Sequence, residues 1–140
     1  MTLMGEDPSL PSVLLYSHMD VVPTFPEHWT HPPYAAHKDA EGNIWGRGTQ
    51  DMKCVGIQYM EALRQLKAEK QASGLPFRFR RTVHVLWGPD EELGGYDGMQ
   101  KYVHTKHFRD LRVAFALDEG LASETDTYKV FYGIRSAWCE

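Results

Sequence analysis

The sequence predicts an α/β fold in which a mostly parallel sheet has helices on both faces. Three apolar runs of strand length, at 12–17, 82–87 and 113–117, are separated by segments of helical or loop character. Continuous apolar runs are typical of strands that are buried on both faces, as in parallel sheets. Strands that alternate with helices along a chain also favour the parallel arrangement.

The first strand leads into a loop that is rich in proline. The run from Ser12 to Ser17 ends at the polar segment His18-Met19-Asp20. Prolines at positions 23, 26, 32 and 33 indicate that the next stretch is a loop. A short strand is predicted at Asn43-Ile44-Trp45, where Gly46 and Gly48 interrupt it.

An amphipathic helix is predicted from Asp51 onward. Apolar side chains recur there every three or four residues, at Met52, Val55, Tyr59, Leu63 and Leu66. This spacing gives the helix one apolar face. A carboxylate just before the first turn is typical of a helix N-cap, so we expect Asp51 to occupy that position.

The second half of the chain again passes from strand to loop, helix and strand. The run from Thr82 to Trp87 predicts a buried strand that ends at Gly88-Pro89, before a glycine-rich loop. A short helix is expected from about Met99 to His107, followed by a strand from Val113 to Leu117. A last strand is expected from Tyr128 to Ile134.

The composition excludes several classes of protein. The 140 residues correspond to one domain, and a content of 42% hydrophobic and 24% charged residues excludes a disordered chain. A net charge of −4 argues against nucleic-acid binding. No apolar run reaches the ~18 residues that a membrane-spanning helix needs. The two cysteines and the absence of a signal-peptide pattern favour a cytoplasmic protein.

Acidic residues and one histidine follow the predicted strands. They are His18 and Asp20 after the first strand, Glu91 and Glu92 after the second, Asp118 and Glu119 after the third, and Asp51 at the start of the helix. The carboxyl ends of parallel strands share one edge of a sheet, where ligands bind in open α/β folds. One histidine with several carboxylates suits a divalent metal, with zinc as the leading candidate. The surplus of carboxylates favours two metals that share a bridging carboxylate.

Each of these residues also has an ordinary structural interpretation when it is taken alone. A single acid after a strand is more often a helix cap or a solvated loop residue. A single histidine is more often structural than a ligand. The other histidines, at positions 28, 31, 37, 84, 104 and 107, are interpreted as structural or solvated. The conjunction of seven residues at strand and helix ends is what favours a metal site.

Four ordered segments resemble the signature blocks of the co-catalytic zinc metallopeptidases, a family that includes aminoacylases, dipeptidases and carboxypeptidases. The segments are Ser17-His18-Met19-Asp20-Val21-Val22-Pro23, Gly46-Arg47-Gly48-Thr49-Gln50-Asp51-Met52-Lys53, Pro89-Asp90-Glu91-Glu92-Leu93-Gly94-Gly95 and Ala116-Leu117-Asp118-Glu119-Gly120. The second and fourth segments are most similar to the aminoacylase branch. The resemblance covers nearly the whole chain and implies a fold of the zinc-dependent exopeptidase type.

The resemblance assigns roles to three residues of the first two segments. His18 matches a histidine ligand of one zinc ion, and Asp20 matches the acid that orients this histidine. Asp51 matches the carboxylate that bridges both metals. A bridging role competes with the N-cap interpretation of the same residue.

The last two segments supply the remaining roles. Glu91 matches the general base that takes a proton from the attacking water, and Glu92 matches the metal ligand beside it. In the last segment the register assigns the ligand to Glu119. Asp118 is kept as the alternative, because the two acids are adjacent.

The resemblance also implies an activity and a context. It implies hydrolysis of N-acylated L-amino acids to a carboxylate and a free amino acid, with two Zn²⁺ ions in each full-length site and a homodimeric full-length protein. The alternatives are a dipeptidase or carboxypeptidase of the same family, or a non-catalytic truncated chain. A further histidine ligand and a smaller dimerisation domain of the family have no counterpart here. We therefore expect residues 1–140 to be a partial catalytic domain, truncated at both ends.

Overall fold

A computed structural model describes residues 1–120, 123–127 and 129–130 of the chain. The strands are Thr2–Leu3 (β1), Ser12–His18 (β2), His37–Lys38 (β3), Ile44–Trp45 (β4), Val83–Gly88 (β5) and Val113–Leu117 (β6). The α-helices are Cys54–Ala72 (α1), Met99–Tyr102 (α2) and Lys106–Leu111 (α3), and 3₁₀ turns lie at Pro26–His28 and Glu91–Leu93. Among the described helices, none is both long and apolar enough to cross a membrane.

The main sheet has four strands in the order β1-β5-β2-β6. Strand β2 is central and pairs in parallel with β5 and with β6, while β1 pairs with β5 in the antiparallel direction. The buried core lies on these central strands, where Leu14, Tyr16, Val83 and Val85 are largely inaccessible to solvent. The sheet is therefore mostly parallel, which confirms the predicted fold class.

Helices cover both faces of this sheet. On one face α1 approaches β2 and β5 so closely that a Cβ atom at Gly56 would lie 2.8 Å from Nε1 of Trp87 and 2.9 Å from Oγ of Ser17. On the opposite face, Met99 of α2 lines a cavity together with Leu14 and Tyr16 of β2. Because adjacent residues of a strand point to opposite faces, Tyr16 and Ser17 contact different layers.

The start of α1 differs from the prediction. The helix begins at Cys54, and Asp51 lies in an irregular turn, Thr49–Lys53, with backbone angles φ −113° and ψ 104°. No side chain caps α1, so the N-cap assignment of Asp51 is wrong. The physical reason is that the Asp51 carboxylate lies 3.0 Å from Nε2 of His18. The Oδ1 atom of Asp51 therefore contacts His18 rather than a backbone N–H of the first helical turn.

The predicted helix from Met99 to His107 is two helices. Helix α2 ends at Tyr102, and α3 begins after Thr105, whose Oγ1 accepts a hydrogen bond from the backbone N–H of Phe108. A threonine N-cap of this kind starts a new helix because it satisfies a backbone donor that the first turn leaves free.

Three further strands can be compared with the sequence-based predictions. The short strand predicted at residues 43–45 is present as β4, but it pairs with β3 in a separate two-stranded sheet. Strand β1 was not predicted. The strand expected from Tyr128 to Ile134 lies outside the described residues, apart from Lys129 and Val130, which are not in a strand.

The close approach of α1 to the sheet predicts intolerance of a larger side chain at Gly56. Gly56→Val would force atoms against Trp87 and Ser17, and overpacking of this kind costs about 1–3 kcal/mol. The free energy of unfolding in urea measures the effect. The neighbouring Ile57→Val is the matched control, because Ile57 is exposed and surface changes usually stay within about 0.5 kcal/mol. Equal stability of the two variants would contradict this packing.

Candidate metal centre

The site is built around His18, the last residue of the central strand β2. Its side chain is 1% exposed, and its Nδ1 lies 3.0 Å from the backbone carbonyl oxygen of Asp20. A carbonyl oxygen can only accept, so Nδ1 carries the proton and donates this hydrogen bond. The other ring nitrogen, Nε2, is then the atom that faces the rest of the site.

Carboxylates from three other segments face Nε2 of His18. The Oδ1 atom of Asp51 lies at 3.0 Å, Oε2 of Glu91 at 3.6 Å and Oε1 of Glu119 at 3.8 Å. Two groups of three residues each have ligand atoms that all lie within 4.8 Å of one another. One group is His18, Glu91 and Glu119, and the other is His18, Asp51 and Glu92. Three acids that lie 33 to 101 positions after His18 in the sequence therefore meet at its Nε2 atom.

The parallel sheet explains why these segments converge. Strands β2, β5 and β6 run in the same direction, and the acids follow their carboxyl ends. Glu91 and Glu92 lie in the 3₁₀ turn after β5, which Gly94 ends with a positive φ of 92°. Glu119 is the second residue after the end of β6. Asp51 comes from the turn before α1, where Gly48 has a φ of 83° that favours glycine.

Asp20 lies beside His18 with both its backbone carbonyl and its carboxylate. The backbone carbonyl of Asp20 accepts the hydrogen bond from His18, and its carboxylate Oδ1 lies 3.6 Å from Nδ1. The other carboxylate oxygen accepts a hydrogen bond from the backbone N–H of Glu92 at 3.0 Å. Asp20 thus links the β2 end to the turn after β5. Among the described residues, its buried Oδ1 has no hydrogen-bond partner.

Glu119 and Asp118 occupy different positions. Glu119 belongs to one of the two groups of ligand atoms, whereas Asp118 belongs to neither of those found among the described residues. The Oδ1 atom of Asp118 accepts a hydrogen bond from the backbone N–H of Glu119 at 2.9 Å. One carboxylate oxygen of Glu92 is also bonded to the backbone, since its Oε1 accepts a hydrogen bond from the N–H of Val22 at 3.1 Å.

Burial and neighbouring negative charges raise the pKa values of two carboxyl groups in the site. Burial raises the pKa of Glu119 to about 7, and the adjacent Asp51 carboxylate adds to that increase. Burial also raises the pKa of Glu91, against the opposing effect of His18, and the charges of Glu92 and Asp51 reinforce it. Like charges in a partly buried space disfavour ionisation of their neighbours.

The groups deeper in the site respond to the same charges. Burial lowers the pKa of His18, but the hydrogen bond to Asp20 and the charges of Glu91 and Glu119 outweigh burial, so the net pKa is raised. Burial raises the pKa of Tyr16 to about 12, and nearby carboxylates, Asp118 first, contribute. An excess of negative charge around one imidazole is an arrangement that a bound divalent cation would stabilise.

Sequence reasoning missed several residues around the site. Tyr16 lies on the same strand face as His18, two residues away, and among the described residues its buried hydroxyl has no hydrogen-bond partner. Lys53 donates to the backbone carbonyl of Met19 at 2.7 Å. The guanidinium of Arg47 lies 5.2 Å from the ring centre of Trp29. The period-two alternation of a strand was the available signal for Tyr16.

The other histidines lie outside both groups of ligand atoms found in the described residues. His31 and His37 stack with ring centres 4.0 Å apart. His84 lies 2.9 Å from the hydroxyl of Thr2, and His107 lies 3.0 Å from the hydroxyl of Tyr102. These contacts join neighbouring side chains of the fold.

Two depressions adjoin the centre. One, of about 530 Å³, is lined by Asp51 and Glu119 together with Gly46, Arg47, Gly48 and Val55. A second, of about 630 Å³, shares Gly46 and Arg47 with the first and has mostly apolar walls, which include Val21, Tyr34 and Ile44. Clefts of this size accommodate small organic molecules.

Comparison with known proteins identifies related sequences. Aminoacylase-1 of Sus scrofa is 54% identical over 138 residues, which is 99% of this chain and 32% of that protein. Aminoacylase-1 of Mus musculus is 55% identical over 138 residues, again 99% of this chain and 32% of the relative. The chain therefore spans about a third of the length of these relatives.

The fold also has a counterpart among solved structures. Human carnosine dipeptidase 1 matches with a TM-score of 0.58 and 22% sequence identity, over 84% of this chain and 24% of that chain. At this level of identity the likeness establishes the fold alone. A sequence model described as peptidase family M20/M25/M40 matches residues 14–133, a range that includes His18 and the carboxylates around it. The chain belongs to peptidase family M20/M25/M40.

Proposed function

We propose that this chain carries the metal-binding part of a zinc-dependent amidohydrolase that cleaves N-acyl-L-amino acids into a carboxylate and a free amino acid. The observation that carries the proposal is the buried imidazole of His18, whose Nε2 faces three carboxylates within 3.8 Å. The choice of substrate is supported by the 54–55% identity to proteins named Aminoacylase-1.

The donor set suits zinc. One imidazole nitrogen with carboxylate oxygens is a typical ligand set for a catalytic zinc ion. His18, Asp51 and Glu119 would hold one ion, and Asp51 with Glu92 would contribute to a second, so that Asp51 bridges the two in the complete protein. The raised pKa of Glu119, at about 7, supports a cation here because a cation would offset the repulsion between the carboxylates. Bound zinc would supply Lewis acidity, which acidifies water and polarises the scissile carbonyl.

Glu91 is the proposed general base. Its carboxylate lies beside His18, is 44% exposed, and has a pKa raised mainly by burial. An accessible carboxylate with a raised pKa can accept a proton from the attacking water and donate it to the leaving amine. Asp20 would position the centre, since its carbonyl fixes the ring of His18 and its carboxylate holds the backbone that carries Glu92.

The surroundings of the centre suit a small substrate. The mostly apolar depression beside Arg47 could take an apolar side chain or acyl group, while the scissile amide lies at the carboxylates. A dipeptidase remains the second candidate within the family, but its support is only the shared fold with human carnosine dipeptidase 1. The proposed setting is cytoplasmic, with the complete protein a homodimer and no nucleic-acid ligand.

Replacement of Glu91 tests the proposed chemistry. In a full-length protein that includes this segment, Glu91→Gln should lower kcat for N-acetyl-L-methionine by about 10²–10⁴, the usual contribution of a general base. Zinc content should not change, because Glu91 is proposed as a base and not as a ligand. Glu61→Gln on the exposed side of α1 is the control and should retain activity. Near-normal turnover with Glu91→Gln would exclude Glu91 as the base.

The charge cluster predicts how pH changes the stability of the metal-free chain. The pKa of Glu119 is raised from 4.5 to about 7 in the folded state, so its contribution is present below pH 4.5 and is lost as the pH rises through about 7. His18 also has a raised pKa, so its contribution is lost in the same direction. These two groups should therefore make the metal-free protein less stable at pH 8 than at pH 5, as read from urea unfolding, in opposition to His84, whose pKa burial lowers.

Two additions make this measurement specific to the site. Glu119→Gln should weaken the pH dependence, because the titrating carboxyl group is removed. Saturating zinc should stabilise the folded chain at pH 8, since a ligand that binds only the folded state shifts the equilibrium towards it. A pH dependence that is unchanged in Glu119→Gln would contradict the assignment of this charge cluster.

A further inference from the structure

The backbone N–H of His18 donates a hydrogen bond to a side-chain sulfur atom rather than to a carbonyl oxygen. The acceptor is Sδ of Met52, which lies at 3.3 Å. Both residues are only 1% exposed, so this bond lies in the interior of the protein. A thioether sulfur is a weak acceptor, and buried backbone donors are usually paired with carbonyl oxygens.

The direction of the N–H groups along β2 explains why His18 uses an acceptor outside the sheet. Successive N–H groups of a strand point to alternate neighbours. The N–H of Met19 donates to the carbonyl of Gly88 on the β5 side, so that of His18 points to the β6 side. The pairing of β2 with β6 ends at Leu15 and Leu117, three residues before His18. Because a buried N–H without an acceptor is costly, Sδ of Met52 stabilises the strand end in place of a strand carbonyl.

The acceptor belongs to the segment that carries Asp51. Met52 follows Asp51 directly in the irregular turn Thr49–Lys53. His18 therefore contacts this turn at two points, since its N–H bonds to Sδ of Met52 and its Nε2 lies 3.0 Å from Oδ1 of Asp51. The ring of His18 is oriented separately, by the hydrogen bond from Nδ1 to the carbonyl of Asp20. The contact with Met52 then fixes where the Asp51 carboxylate lies relative to the ring.

The backbone of the turn does not provide this restraint by itself. Asp51 and Met52 have non-helical backbone angles, and no side chain caps the helix α1 that follows. Another bond joins the turn to the end of β2, from Nζ of Lys53 to the carbonyl of Met19, but it lies at the surface. The bond to Met52 is buried, where water does not compete for the N–H of His18.

We propose that Met52 is a positioning residue of the metal centre, whose sulfur atom holds the Asp51 carboxylate in the place from which it binds metal together with His18. The inference rests on the metal centre proposed above and assigns a role to a residue that is not itself a ligand. Residues that orient metal ligands typically contribute about 10–100-fold to metal affinity.

Substitution can separate the shape of Met52 from its sulfur atom. Leucine fills a similar volume but has no acceptor in its side chain. Glutamine is as long and unbranched as methionine and its amide oxygen accepts hydrogen bonds, but its NH₂ group is costly to bury. A role in packing alone therefore favours leucine in every measurement. A positioning role favours leucine for stability and glutamine for zinc affinity.

Zinc titration of the folded 140-residue chain, in competition with a chelating indicator, tests the proposal. Met52→Leu should raise the zinc Kd by about 10–100-fold, while the urea midpoint of the metal-free chain changes little. Met52→Gln should bind zinc more tightly than Met52→Leu, although it is the less stable of the two. Met60→Leu, at a half-buried position of α1, is the matched control and should leave the zinc Kd unchanged.

A measurement on the metal-free chain distinguishes failure of this inference from failure of the proposed function. In a ¹H–¹⁵N correlation spectrum, the amide proton of His18 should move upfield in Met52→Leu, because loss of a hydrogen bond shields an amide proton. The amides of Thr49–Lys53 should shift with it, and neither change should occur in Met60→Leu. If the unaltered chain binds no zinc, the proposed function fails, and these shifts decide separately whether Met52 holds the turn against β2.

Three results would overturn the proposal. They are an unchanged zinc Kd in Met52→Leu, a Met52→Gln that binds zinc no more tightly than Met52→Leu, and an unshifted His18 amide proton in Met52→Leu. If Met52→Leu does not fold, Met52→Gln decides alone. It should then keep the zinc Kd within about tenfold of that of Met60→Leu, and a larger loss would count against the sulfur contact.

Discussion

The site depends on the position of one imidazole at the end of the central strand. His18 is buried, its Nδ1 donates to the carbonyl of Asp20, and its Nε2 is thereby directed at the carboxylates of Asp51, Glu91 and Glu119. A buried imidazole whose remaining nitrogen faces only acids must either be protonated or share a cation with them. The raised pKa values of His18 and Glu119 and the proposed zinc site are consequences of this one arrangement.

The main strands and the convergence of the acids could be predicted from sequence because both follow from burial and strand direction. Strand β6 was located to the residue, and β2 and β5 to within one residue at each end. The N-cap assignment of Asp51 failed because a contact with His18, 33 residues away, replaced the local one. Strand β1 was missed because two residues carry no periodicity, and it forms by pairing with β5 about 80 positions later. The contact between the Asp20 carbonyl and His18 is likewise a matter of backbone geometry, which residue types do not encode.

Strand β6 delivers Glu119 to the centre from its carboxyl end. It is a continuous apolar run from Val113 to Leu117, a composition that is typical of strands within a parallel sheet. The composition that locates the strand in the sequence therefore also explains why an acid that follows it reaches the same edge as those that follow β2 and β5.

Zinc K-edge X-ray absorption of the zinc-loaded chain, together with its zinc content after dialysis, tests whether His18 and the carboxylates around it hold a zinc ion. We expect the zinc ion to be coordinated by one imidazole nitrogen and by carboxylate or water oxygens at about 2.0–2.2 Å, with no sulfur at about 2.3 Å. We also expect His18→Gln to lose the bound zinc, whereas His84→Gln, which alters another buried histidine of the sheet, should retain it. Sulfur coordinated to the zinc ion, or full zinc retention by His18→Gln, would contradict a zinc site at His18.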